Sequence, residues 1–180
     1  MQQDNLTDVE LHAQTLDGDT WRIGSLYSPG LAPPHLNERA TMVANRVPQW
    51  AIAAGHTAGW VWSGLGTPEP WNLVCATQPA LSPLVRTQWK PRARETASLD
   101  TTILEALCLL TPEATTADLL TCPGDDQVCA AQLFTLTTAE KLGDVAASCV
   151  AGLRPRQRDR ARIRISLVRT WWSNHPFVTL

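Results

Sequence analysis

The stretch Ile103-Leu104-Glu105-Ala106-Leu107-Cys108-Leu109-Leu110 runs without a break into Thr111-Pro112-Glu113-Ala114-Thr115-Thr116-Ala117-Asp118-Leu119-Leu120. Its first eight residues are mostly apolar and fit either a helix or a buried strand. The next ten start a helix. Thr111 can cap it, and Pro112 stands at the first helical position, where its missing N–H costs nothing. Upstream, short apolar runs separated by prolines read as strands: 71–76, 85–90 and 93–99. Downstream, helical spacing returns at 126–136, at 138–153 after a Thr138 cap, and at 156–172 after Pro155. Strands flanked by helices on both sides of this junction make the chain α/β (α+β), with a small mixed sheet and a helical C-terminal end.

The first half gives the same mixed grammar. Thr7 and Glu10 have capping-box spacing for a helix over 6–13, and Leu6 and Leu11 are placed to staple it. Asp17-Gly18-Asp19 signals a tight turn, and 20–27 alternates as a strand, so residues 1–30 read as a helix–hairpin unit. A helix over 36–46 ends at Pro48. Residues 50–54 fit a short strand or a turn. Thr57 to Ser63 reads as a helix capped at Thr57 and closed by Gly64 or Gly66. Trp60 and Trp62 lie two apart, so on a helix they cannot face the same way. The eight tryptophans are read mainly as core or half-buried residues.

Charge divides the chain. The 180 residues carry a formal −2, but residues 1–153 hold −8 and residues 154–180 hold +6. A basic end on an acidic body suits an anionic partner, or the body itself. Five cysteines, an odd number without a CxxC pair, read as reduced thiols. The polar, acidic opening has no secretory signal, and no apolar run approaches bilayer length, so a cytoplasmic protein without membrane contact is expected. Cys122 and Cys129 have six residues between them, which is not a zinc spacing, and no metal or cofactor is expected. No nucleophile elbow, Walker loop, HExxH or GxGxxG motif occurs, and the four histidines are isolated, so no catalytic residue and no small-molecule substrate is assigned.

Three ordered motifs carry a family resemblance. The opening is Glu10-Leu11-His12-Ala13-Gln14-Thr15-Leu16-Asp17-Gly18, then Ile23-Gly24 and Tyr27-Ser28-Pro29. Ala58-Gly59-Trp60-Val61-Trp62-Ser63-Gly64 follows, and then Thr111 to Leu119. Together they resemble the AbiEi-type antitoxins of type IV toxin–antitoxin systems. That resemblance implies a DNA-binding winged helix at the N-terminus, present here in reduced form, and a C-terminal α/β body that opposes a nucleotidyltransferase toxin. Ala114 stands where that family places an arginine. The implied organisation is a helix–hairpin over 1–30, an α/β body over 31–153 and an Arg-rich helix over 154–180. The implied role is a non-enzymatic regulator whose partner is promoter DNA, a toxin or another protein. The alternatives are an interaction module without DNA binding and a divergent nuclease.

Two clusters are candidate contacts. On a C-terminal helix, Arg156, Arg160 and Arg164 line up at i, i+4 and i+8, with Arg158, Arg162 and Arg169 on a neighbouring stripe. Ile165, Val168 and Trp172 would form the opposing apolar stripe. Arginine forks suit phosphates. A smaller patch, Arg86, Lys90, Arg92 and Arg94 around Trp89, reads as a strand edge kept soluble by charge or as a nucleic-acid contact.

Overall fold

The computed structural model describes residues 7–29, 32–76, 81–94, 99–150 and 153–174. Helix α1 (Asp8–Leu16) begins with the expected reciprocal box between Thr7 and Glu10. The side chains of the Leu6–Leu11 staple lie outside the described residues. Strands β1 (Thr20–Ile23) and β2 (Leu26–Pro29) then pair antiparallel, so the segment read as one strand is a hairpin turning at Gly24-Ser25. Glu69 holds that turn, accepting from Ser25 N at 2.9 Å and Ser25 Oγ at 2.7 Å. Helix α2 (Leu36–Ala44) buries Ala40 and Val43.

A five-stranded sheet forms the centre, in the order β5-β4-β3-β7-β6. Its middle strand β3 (Ile52–Ala53) is antiparallel to β4 (Leu73–Ala76) and parallel to β7 (Leu107–Leu110). Outside these, β5 (Arg92–Arg94) runs parallel to β4, and β6 (Thr101–Leu104) antiparallel to β7. The fold is therefore α+β with a small mixed sheet. The run 103–110, open between helix and strand in the sequence, is a hairpin. It turns at Glu105 and Ala106, both at positive φ (46° and 65°).

Helix α3 (Gly55–Ser63) lies under the sheet and is buried from Gly55 to Val61. Its N-cap is Ala54, not Thr57. Thr57 lies inside the helix and donates to the Pro68 carbonyl at 2.6 Å. Gly64, in the left-handed conformation at φ 74°, stops the helix as expected. Trp60 is fully buried, whereas half-buried Trp62 donates Nε1 to the Leu110 carbonyl at 2.9 Å.

Residues 85–90, read as a strand, belong instead to helix α4 (Pro83–Trp89). Ser82 accepts from Val85 N and Pro83 occupies the first turn, which outweighs the alternation of Val85 and Thr87. Helix α5 (Pro112–Leu119) starts at Thr111 as its sequence requires. Helices α6 (Asp126–Leu136), α7 (Ala139–Val150) and α8 (Pro155–Asn174) complete the chain. Leu119, Leu120, Leu133, Leu142, Ala161 and Val168 share a second core between these four helices. Phe134 closes it against Trp171 and Trp172, at ring distances of 6.1 and 5.9 Å.

Candidate functional site

The seven arginines of residues 154–180 divide by helical phase. The inward face of α8 carries Ala161, Arg164 and Val168, all fully buried. Arg164 is therefore not a surface contact, which corrects its assignment to a binding stripe. Its guanidinium is an internal strut. Nη1 donates to the carbonyls of Leu119 (2.5 Å) and Cys122 (3.0 Å), and Nη2 to that of Gly124 (3.2 Å). Nε pairs with Asp126 at 2.8 Å. The carbonyls of Leu119 and Cys122 stand at the C-terminal end of α5, where a cation also complements the helix dipole.

Arg160 is half-buried and donates to the carbonyls of Thr121 and Cys122 at 3.2 and 3.3 Å, so it serves the same helix end. Arg158, half-buried, donates to the Leu153 carbonyl at 3.2 Å. The i, i+4, i+8 row of Arg156, Arg160 and Arg164 is thus divided, with only Arg156 exposed. Of the other stripe, Arg158 is tied down by its bond to Leu153 and two members remain. Arg162 and Arg169 are exposed, and among the described residues neither makes an ion pair. Both line a shallow groove of about 760 Å³ between α7 and α8, floored by Gly143, Ala146 and Ala147. Small side chains on α7 let an approaching partner reach these two guanidiniums.

The second basic cluster also divides. Arg86 and Lys90 are exposed on α4 and its left-handed cap. Arg92 lies on edge strand β5 but faces inward, which corrects its reading as a free contact. Its Nη1 donates to Asp118 Oδ1 at 2.8 Å, and its Nη2 to Asp118 Oδ2 at 2.5 Å and Asn72 Oδ1 at 2.7 Å. Asp118 Oδ2 also accepts from Gly55 N at 2.9 Å, which ties the end of α5 to the start of α3. Arg94 Nη2 approaches Asp118 Oδ1 at 3.9 Å. The fork is a structural clamp across β4, β5, α3 and α5. A neighbouring cleft of about 640 Å³ has Arg94 and Arg154 on its wall together with Asp100 and Asp118, so its charges largely offset.

A third cluster was invisible as isolated residues. His56, Cys122, Cys129 and Arg164 meet between α3, α6 and α8. The two Sγ atoms are 3.9 Å apart, and Arg164 Nη1 lies 3.6 Å from Cys122 Sγ. His56 Nε2 is 2.5 Å from the Pro70 carbonyl oxygen. Because a carbonyl only accepts, Nε2 carries a proton. The Cys129 thiol, then His56 and Arg164, hold Cys122 as a thiolate, bringing its pKa down to about 5 against the cost of burial. Cys129 moves up, because it donates to that thiolate and is itself buried. Among the described residues no group of three His, Cys, Asp or Glu side chains is placed to hold a metal ion, and no helix is long and apolar enough to cross a membrane. The chain matches no family model, no curated protein and no solved structure.

Proposed function

We propose that the protein works by recognition, as an antitoxin-like regulator, and that the outer stripe of α8 contacts DNA phosphates. The observation that carries this reading is the pair Arg162 and Arg169. Both are exposed, on one face, beside a groove with a small-residue floor. Exposed arginine forks on a rigid helix gain affinity by releasing counterions from phosphate, without bond-breaking chemistry. The ordered motifs that resemble AbiEi antitoxins support the same role.

Fluorescence polarisation with duplex DNA from upstream of the gene tests it. Binding is expected at low ionic strength, and Arg162→Ala and Arg169→Ala together should lower the salt slope by about 2, near one unit per lost phosphate contact. Unchanged binding by the double variant would refute the assignment. The second reading is a protein partner on the same groove, favoured by Gly143, Ala146 and Ala147, which suit close helix packing. It is tested by co-purification with a nucleotidyltransferase toxin and by its loss in Ala146→Glu.

A further inference from the structure

We propose that Cys122 and Cys129 form a reactive dithiol that a small hydroperoxide oxidises to an intramolecular disulfide, with Cys122 as the attacking sulfur and Cys129 as the resolving one. The inference is independent of any DNA or protein partner. Four observations converge on it. The two sulfurs are already in contact at 3.9 Å, so side-chain rotation can bring them together. Arg164, fully buried, donates to Cys122 Sγ and not to Cys129 Sγ, which distinguishes the two roles. His56, nine-tenths buried, has its Nε2 occupied by the Pro70 carbonyl, while Nδ1 has no oxygen or nitrogen partner. Cys122 also carries the lowered pKa that an attacking thiolate needs.

A further observation concerns access. Both thiols are buried, yet His56 and Gly124 line an outer cleft of about 240 Å³. Gly124 has φ +148°, and a Cβ there would stand 3.5 Å from Cys129 Sγ and 3.1 Å from His56 Nδ1. The space behind Gly124 is thus too tight for a side-chain carbon, and Gly124 with His56 forms the wall between cleft and cluster. Oxidation therefore proceeds through a local opening of this wall, and hydrogen peroxide needs a smaller one than a bulky alkylating reagent.

The chemistry balances. The Cys122 thiolate attacks the terminal peroxide oxygen; the S–O bond forms, the O–O bond breaks and the alkoxide or hydroxide takes a proton from water. Cys122 is now a sulfenic acid. Cys129 loses its proton and attacks the Cys122 sulfur. The S–S bond forms, the S–O bond breaks and hydroxide leaves as water with the Cys129 proton. Two thiols have been oxidised by two electrons and one peroxide reduced.

The reduced full-length protein, treated with one equivalent of hydrogen peroxide and mapped by peptide mass spectrometry, tests this. A Cys122–Cys129 cross-link is expected, with Cys75, Cys108 and Cys149 still free. Cys129→Ser should trap a dimedone-reactive sulfenic acid at Cys122, and Cys122→Ser should form none. Iodoacetamide should label Cys122 at least tenfold more slowly than it labels a small thiol. Oxidation starting at another cysteine, a sulfenic acid at Cys129 in Cys122→Ser, or no cross-link in folded wild-type protein would overturn the proposal.

Discussion

Replacing Arg164 by Met keeps most of the apolar stem inside the helical core and removes only the guanidinium. The expected loss can be worked from its partners. The Leu119 carbonyl has no other donor among the described residues and becomes a buried orphan, at about 1–3 kcal/mol. The Cys122 carbonyl keeps Arg160 Nη1, and the exposed Gly124 can turn to water, so these two add less. Asp126, with its side chain about a third exposed, can also rehydrate. Burying arginine carries its own desolvation cost, and apolar replacement of a whole buried ion pair can be neutral. That relief fails here, because most of the partners are backbone carbonyls that no substitution deletes. The net loss is about 3–5 kcal/mol, the usual cost of breaking a buried charged pair from one side. In a chain of this size it corresponds to a melting temperature lower by about 6–20 °C. Urea denaturation followed by tryptophan fluorescence, with Arg162→Met as an exposed control within about 0.5 kcal/mol, is the assay. Arg164→Lys should fall between the two, since an ammonium cannot span four acceptors in a fork. An Arg164→Met protein within about 1 kcal/mol of wild type would refute the strut.

Asp118→Ala removes the fork from Arg92 and the acceptor from Gly55 N. It should cost about 3 kcal/mol, and Asp118→Asn less, because the amide oxygen can still serve Gly55; equal losses would show that Gly55 does not matter. For Cys122 the folded pKa lies below its ordinary value of 9.0, at about 5. A depressed acid contributes stability that is full above the unfolded pKa and is lost as pH falls through the folded one. Stability should therefore decline between about pH 9 and pH 5 by an increment absent from Cys122→Ser, and the thiolate ultraviolet absorbance should titrate near 5. A midpoint near 9 would mean that the Arg164 and Cys129 contacts do not hold the charge.

Local signals were legible where a single residue type sets the backbone. Thr7 with Glu10, Thr111 with Pro112 and Gly64 each placed a helix end. Elsewhere two patterns competed. In 83–89 the alternation of Val85 and Thr87 hid a helix whose start, Ser82-Pro83, was the better guide. The 101–110 hairpin stayed ambiguous because its turn is Glu105-Ala106, without the glycine or asparagine that usually marks positive φ. Arg164 was misplaced because alternating arginines mask helical phase. Ala161 and Val168, at −3 and +4 from it, were the signal for an inward face. The Asp118 fork depends on pairings 20 to 63 residues apart, the Cys122–Cys129 pair gains its Arg164 partner from 42 residues away, and no local pattern encodes those.

The phase of α8 also sets how much of the positive end an anion can feel. By sequence, residues 154–180 offer seven arginines. Arg164 is enclosed, Arg160 serves the end of α5, and Arg158 is tied to Leu153. Arg162 and Arg169 share one face, while Arg156 and Arg154 lie nearer the start of the helix. A duplex lying along the α7–α8 groove therefore meets two or three guanidiniums, and the logarithmic salt slope should be about 2–3. If all seven reached phosphate, the slope would be about 6. The two values are far enough apart for one titration between low and moderate salt to separate them. A slope near 6 would mean that α8 leaves its seat on binding and that Arg164 gives up its carbonyl partners. In that case Arg164→Met would weaken DNA binding as well as folding, and the strut and the contact would be one residue in two states.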